Sequence, residues 1–319
     1  MSALASGIDA AAATSVRRGK RFDAFPYLLL APAALMMLVV NLVPIVQGFR
    51  MSLLKLNQYT LNQFMDAPFI GLRNYRGVLF DPDNPVHSGM LVALRNTALY
   101  SLLVTVAAVA IGLGVALLLD REFPGKALAR TLLMLPWVVP TYVVGTLWGF
   151  MWQRDEGIVN HVLVDVLHLM DHKPFWLIGS NTFFAIVIPT VWRAWPVLML
   201  IFLAALQAVP QELYEAARLD GAKTWAQFRH ITLPGIAPTM LMVSILTIAG
   251  YFQLFAEPYV MTQGGPLEST KSVLYLMFED GFKWWNLGQA SALAFVLFVI
   301  IVAVSRGLLW LTRRAGVEA

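Results

Sequence analysis

The chain has 319 residues, of which 23 are Lys or Arg and 19 are Asp or Glu. Only 13% therefore carry charge, against about 25% in soluble proteins, while 58% are apolar or aromatic. Too few charges remain to coat the two soluble domains this length would form, disorder is excluded by the same numbers, and zero cysteines exclude disulfides, thiolate metal sites and a cysteine nucleophile.

Residues 1–26 form an Ala-rich tail, expected to be partly disordered, with a basic run at Arg17, Arg18, Lys20 and Arg21. The next 23 residues, 27–49, carry no charge. That run exceeds the roughly 7–15 residues of a signal-peptide core, so it reads as an uncleaved first span. A membrane crossing needs about 20 apolar residues. Five further stretches qualify: 96–119, 132–152, 183–206, 236–256 and 290–311. Their only charges are Arg193 and Arg306. Prolines 32, 44, 136, 140, 189, 196 and 238 fall inside spans, where neighbouring helices can satisfy the carbonyls they free. The fold class is all-α integral membrane with six transmembrane helices, followed by a tail at 312–319.

Between the third and fourth spans, Gly157 to Met170 places Val159, Val162, Leu163, Val166, Leu167 and Met170 on one face, as an amphipathic interfacial helix would. His161, Asp165, His168 and His172 share another face. Zinc could use such a face, but a solvated polar surface is the simpler reading. Trp137, Trp148, Trp152, Trp284 and Trp285 sit at span ends, where aromatic side chains anchor helices at the membrane surface.

Residues 207–235 separate spans four and five. Pro210 opens a helix-favouring run from Gln211 to Leu219, and Gly221 supplies a helix C-cap. A second short helix is expected from Ala222 to Ile231. Glu212 and Glu215 share a face, and Ala216 and Ala217 let another backbone approach. Two readings stay open: a docking element that passes on a rigid-body push, or an ordinary solvated loop.

Orientation follows the basic residues. With the N-terminus inside, the cytoplasmic segments hold 13 Lys/Arg against 8 Asp/Glu, and the outer loops hold 9 against 11. Both termini and the 207–235 loop are then cytoplasmic. The +4 total reflects this asymmetry rather than nucleic-acid binding.

Glu215-Ala216-Ala217, Asp220-Gly221-Ala222, Ile231, Leu233-Pro234 and Pro238 resemble the EAA loop of permease subunits in binding-protein-dependent ABC importers. Tyr259 to Pro266 (YVMTQGGP), then Ser269-Thr270, is similar to the outer loop of the sugar-class, maltose-permease type. Asn96-Thr97, Gly288, Ala290, Ser291 and Ala292 fit that pattern too, and the resemblance spans roughly residues 27–311.

The resemblance implies a bacterial or archaeal inner-membrane subunit, the first of two similar permeases. It also implies an extracytoplasmic solute-binding protein and a cytoplasmic ATPase dimer that binds ATP and Mg. The 207–235 loop would be the coupling element, with Glu212, Glu215, Ala216, Ala217, Asp220 and Gly221 meeting the ATPase. The large insert that the maltose permease carries after its first span has no counterpart in the 46 residues of 50–95. No G-x-x-x-x-G-K-[ST] phosphate loop occurs, no cofactor or metal is expected in this chain, and it is not expected to be an enzyme itself.

Arg193 cannot lose its proton, so it must face a polar cavity, a partner or an interface. It is either a path residue or a structural one. Ser244, Thr247 and Tyr251 share a face of span five. With the resemblance placing sugar contacts on spans four and five, Thr190, Arg193, Thr247, Tyr251 and Gln253 are the candidate path residues. Interhelical hydrogen bonding is the competing reading. An ion-driven secondary transporter would need intramembrane acids, and none of the six spans contains Asp or Glu. A membrane-embedded enzyme would need a buried nucleophile, acid or metal constellation, and none is visible.

Overall fold

The computed structural model describes residues 25–314. The expectations for the N-terminal tail and for the chain beyond Arg314 fall outside the described residues. The described regular structure is helical, and its one β pairing is a single antiparallel bridge between Leu54 and Phe69. Five helices are long and apolar enough to cross a membrane, or six crossings if one bent pair counts as a span.

The chain divides into two units, residues 1–48 and 49–319. The first contains most of helix α1 (Tyr27–Ser52). This helix stays continuous through Pro32, and it widens by one residue over Leu38–Leu42, ahead of Pro44. Pro44 has no N–H for the carbonyl of Val40, and a widened turn absorbs that mismatch.

The second unit is built around α3 (Pro85–Leu119) and α6 (Thr182–Gln207). Along α3 the buried residues Tyr100, Val104, Ala108, Gly112 and Ala116 recur every fourth position, which makes one ridge. It packs against Ile186, Met199, Phe202 and Leu206 of α6. Gly112 permits the close approach: a Cβ there would lie 3.0 Å from Leu198 Cβ and 3.1 Å from the Trp195 carbonyl oxygen. A second core joins α2 (Arg73–Phe80) through Val78 to Met90 and Ala93 of α3, and to Leu293 and Leu297 nearer the C-terminus.

Three spans differ from the sequence expectation. The second begins at Pro85 rather than Asn96, because Asn84 caps it by accepting from Val86 N at 2.9 Å and the added turns bury Val86 and Met90. The third is not one straight helix. It divides into α4 (Lys126–Val138) and α5 (Thr141–Met151), set at 90°. Pro140 removes the N–H that the Pro136 carbonyl needs and forces Val139 into extended backbone. Beyond α7 (Gln211–Leu219), the expected second loop helix is not separate from the fifth span. It runs into α8 (Thr224–Tyr251), with a widened turn over Phe228–Thr232 just before Pro234. After α9 (Val273–Phe278), the last span is α10 (Leu287–Arg314).

The interfacial helix is shorter than expected. Helical turns cover Ile158 to Val166, and His168 then takes a left-handed conformation with φ +51°. His168 and His172 therefore leave the shared face. His161 Nδ1 and Lys173 Nζ meet Asp165 at 3.0 and 3.1 Å. Among the described residues, no three His, Cys, Asp or Glu side chains converge as metal ligands would.

Candidate functional site

The 207–235 loop is held at both ends and open between. Tyr214 Oη and Thr232 Oγ1 pair at 3.0 Å, which ties α7 to the widened turn of α8. Gly221 ends α7 with φ +77°. Its N–H donates to the Arg218 carbonyl at 3.0 Å, and Ala222 N–H donates to the Ala217 carbonyl at 2.8 Å. This is the paired closure of a Schellman motif, and it needs the left-handed conformation glycine adopts without strain. Glu212, Glu215, Ala216, Leu219 and Asp220 are exposed, Leu219 at 90%; Ala217 is half-buried. Behind α7 lies an open cavity of roughly 870 Å³ lined by Asp120, Arg121, Glu215, Arg218, Trp225 and others. A short helix fixed at one face and bare at the other can pass force to α8, because the two are joined through a capped turn.

A buried polar cluster lies between α3, α6 and the segment after α8. Tyr100 and Thr190, both buried, hydrogen-bond through their hydroxyls. Thr190 also donates to the Ile186 carbonyl at 2.9 Å. The Tyr251 ring meets the Tyr100 ring edge-on at 6.1 Å. Glu257, 4% exposed, stands beside Thr190 and within the field of Arg193. Burial pushes its carboxyl above the usual carboxylate range, and Arg193 opposes that push. The structure thus brings Thr190 and Tyr251 together around Tyr100, with Arg193 one turn along α6 from Thr190. It does not join Thr247, whose hydroxyl donates to the Val243 carbonyl of its own helix at 2.7 Å, or Gln253, which is exposed. Sequence reasoning missed Glu257 and Tyr100. The signal for Glu257 was a lone acid between the apolar run 236–256 and Pro258-Tyr259-Val260-Met261.

Next to this cluster, four tryptophans form a chain. Trp192 lies 6.0 Å from Trp148, Trp148 5.3 Å from Trp152, and Trp152 4.6 Å from Trp176, centroid to centroid. Trp152 is 3% exposed and packs in the core, so it is not the surface anchor expected from its place at a span end. Its indole N–H donates to the Ala185 carbonyl at 3.0 Å. That carbonyl is the one Pro189 leaves without its helical donor.

The segment after α8 is clamped to α3. Asn96 Nδ2 donates to the Glu268 and Lys271 carbonyls at 2.9 and 3.2 Å, and Thr97 Oγ1 accepts from Val273 N at 3.1 Å. Thr262 and Thr270 hydroxyls close the Gly264-Gly265-Pro266 turn at 2.7 Å. Asn96→Ala leaves the half-buried Lys271 carbonyl without its donor, while the Glu268 carbonyl keeps the Lys271 N–H at 3.1 Å. It is expected to cost about 1–3 kcal/mol, read as a lower melting temperature of the detergent-solubilised chain. An unchanged melting temperature would show that the clamp carries no load.

The family described as "Binding-protein-dependent transport system inner membrane component" matches residues 108–317. The chain belongs to this family. It is a permease of the ABC-importer class and a multi-pass inner-membrane protein, which sets aside an ion-gradient-driven transporter. The permease is 36% identical over 281 residues to the inner membrane ABC transporter permease protein YcjO of Escherichia coli, covering 88% of this chain and 91% of that one. It is 32% identical over 282 residues to the trehalose/maltose transport system permease protein MalF of Thermococcus litoralis, covering 87% and 90%. Its fold matches a chain in the crystal structure of a bacterial alginate ABC transporter in complex with an alginate pentasaccharide-bound periplasmic protein. There the TM-score is 0.77 at 20% identity, with 92% of this chain and 95% of that one covered.

Proposed function

We propose that the permease forms half of the translocation path of an ATP-driven importer for a carbohydrate, paired with a second, homologous permease. A cytoplasmic ATPase dimer docks on the 207–235 loop, and an extracytoplasmic solute-binding protein delivers substrate to the opposite face. Six spans with both termini in the cytoplasm place the loop on the ATPase side. The observation that carries this reading is α7: the EAA sequence lies on a short helix, capped at Gly221, whose exposed face is acidic and small. Nucleotide-driven closure of the ATPase is a rigid-body motion, and α7 with α8 is a stiff element able to receive it. ATP hydrolysis belongs to the partner because this sequence lacks a phosphate loop. The carbohydrate assignment is supported by the YVMTQGGP loop and by the relative named for trehalose and maltose.

The test is purification of the tagged permease from its native membrane. A stable complex with a soluble ATPase and a second permease is the expected result. A chain that purifies alone and transports on an ion gradient without ATP would overturn the proposal. Thr190, Arg193 and Tyr251 are the path residues the geometry favours, with Thr247 and Gln253 less supported. Arg193→Ala is expected to reduce uptake about tenfold or change its selectivity, the loss of one charge-assisted hydrogen bond being worth ~1.5–3 kcal/mol. Normal uptake with unchanged selectivity would remove Arg193 from the path.

A further inference from the structure

We propose that an open cavity between the chain around Leu56, α2 and the start of α10 is a carbohydrate site, which holds one neutral pyranose ring on half-used amide side chains. It shares no residue with the buried Thr190 cluster. Its place on the extracytoplasmic face rests on the proposed orientation of the chain; the chemistry of its wall does not.

The wall of the cavity includes Asn57, Asn74, Asn84, Asn286 and Gln289, all half-buried. Four of them are fixed by one end of the amide. Asn74 Nδ2 donates to the Ser52 and Leu54 carbonyls at 2.8 and 2.9 Å. Asn286 Nδ2 donates at 3.0 Å to Oδ1 of Asp280, a carboxylate only 2% exposed. Asn57 Oδ1 accepts from Tyr59 N at 3.0 Å, and Asn84 Oδ1 accepts from Val86 N at 2.9 Å. Among the described residues the other end of each amide has no partner, and neither end of the Gln289 amide has one. The free groups are therefore the oxygens of Asn74 and Asn286, the nitrogens of Asn57 and Asn84, and both from Gln289. Gly77, inside α2, keeps the space open: a Cβ there would stand 3.0 Å from Asn84 Nδ2 and 3.7 Å from Gln289 Nε2. The two nitrogens converge over a bare stretch of helix, where glycine costs about 1 kcal/mol relative to alanine.

A hydroxyl both donates and accepts, so a ring of hydroxyls matches a wall that sets free oxygens beside free nitrogens. An anion matches it poorly: it can use the nitrogens alone and would face two amide oxygens and the Asp81 carboxylate. An ammonium ion would meet Lys55 and Arg73, both exposed at the rim. The volume, roughly 280 Å³, equals about nine waters at ~30 Å³ each, which is the scale of one sugar ring and not of a chain. Buried Leu56 and Gly77 add an apolar surface for the C–H face of the ring. Because four amides are held before a ligand arrives, little side-chain freedom is lost on binding.

The experiment uses the full complex in right-side-out membrane vesicles. The permease has no cysteine, so Lys55→Cys places its single thiol at the rim. A membrane-impermeant maleimide labels that thiol, and the rate is measured with the methyl glycosides of glucose, galactose and mannose, with methyl glucuronoside and with sulfate. At least one neutral glycoside is expected to slow labelling at millimolar concentration, and the two anions are not. Gln289→Leu, added to Lys55→Cys, should raise the half-protecting concentration about tenfold. Tyr59→Cys, 82% exposed and outside the cavity wall, should label at the same rate with every probe. If Gln289→Leu does not assemble, the pattern of protection at Lys55→Cys decides alone. The proposal is overturned if no neutral glycoside protects, if the anions protect equally, if only the binding protein protects, or if Gln289→Leu in an assembled complex leaves protection intact. A wrong orientation looks different: Lys55→Cys would label only in inverted vesicles, with glycoside protection kept. A permease that purifies without an ATPase would sink the importer reading and leave the protection pattern unchanged.

Discussion

Glu215→Lys and Gly221→Asp should each leave the permease inserted and assembled while uptake falls tenfold or more and ATP hydrolysis continues. Glu215 is exposed on α7, so reversing its charge removes no internal contact and should spare folding. At a docked interface the same change sets like charges together, which costs several kcal/mol, and ~1.4 kcal/mol already means a factor of ten. Gly221→Asp acts differently. Nothing lies within 4 Å of a Cβ built at Gly221, so the substitution meets no clash. Its cost is backbone: φ is +77°, and a non-glycine residue pays about 1–2 kcal/mol there. Relief of that strain re-aims α7 relative to α8 and opens the closure by Gly221 and Ala222. The measurement is paired ATPase and uptake rates in proteoliposomes carrying the full complex. Normal uptake by both variants would sink the coupling assignment.

Trp152→Ala should be the most destabilising single change. Trp152 is 3% exposed and lies in tilted ring contact with both Trp148 and Trp176. Truncation of a buried tryptophan costs about 3–5 kcal/mol. The substitution also removes the donor to the Ala185 carbonyl, which Pro189 has already deprived of its helical partner. Trp152→Phe separates the two effects, since it keeps most of the ring packing and loses only the hydrogen bond, at about 1–3 kcal/mol. Thermal unfolding in detergent should therefore rank wild type above Trp152→Phe, and Trp152→Ala lowest. Near-equal stabilities would mean that the ring is not part of the core.

Much of the fold was legible because the membrane imposes one requirement, a long apolar run. The fourth span shows it best: 183–206 was expected and Thr182–Gln207 is helical. What escaped the sequence were effects of tertiary contact. The outward turns of α3 look polar in PVHSGM, yet Val86 and Met90 are buried against α2 and α10. Pro140 turns the chain through 90°, whereas Pro189 and Pro196 sit in a continuous helix. The difference lies in the partners: Trp152 rescues the carbonyl freed by Pro189, and such rescue depends on the fold. The Gly221 cap was readable because its signal is local. Glu257 was not, because an acid beyond a span reads as solvated until the packing around it is known. Thr247 shares a face with Tyr251, and its hydroxyl donates within its own helix, a bond that the residue spacing alone did not reveal.

The exposed face of α7 is expected to meet a separate ATPase in the cytoplasm. The permease has no cysteine, so Leu219→Cys would introduce the chain's single thiol at a 90% exposed position. A short bifunctional thiol cross-linker applied to inverted membrane vesicles, followed by identification of the attached chain, tests the claim directly. The expected result is a cross-link to the ATP-binding subunit and no labelling of intact cells by a membrane-impermeant thiol reagent. Labelling of intact cells, or a cross-link to the extracytoplasmic binding protein, would contradict it.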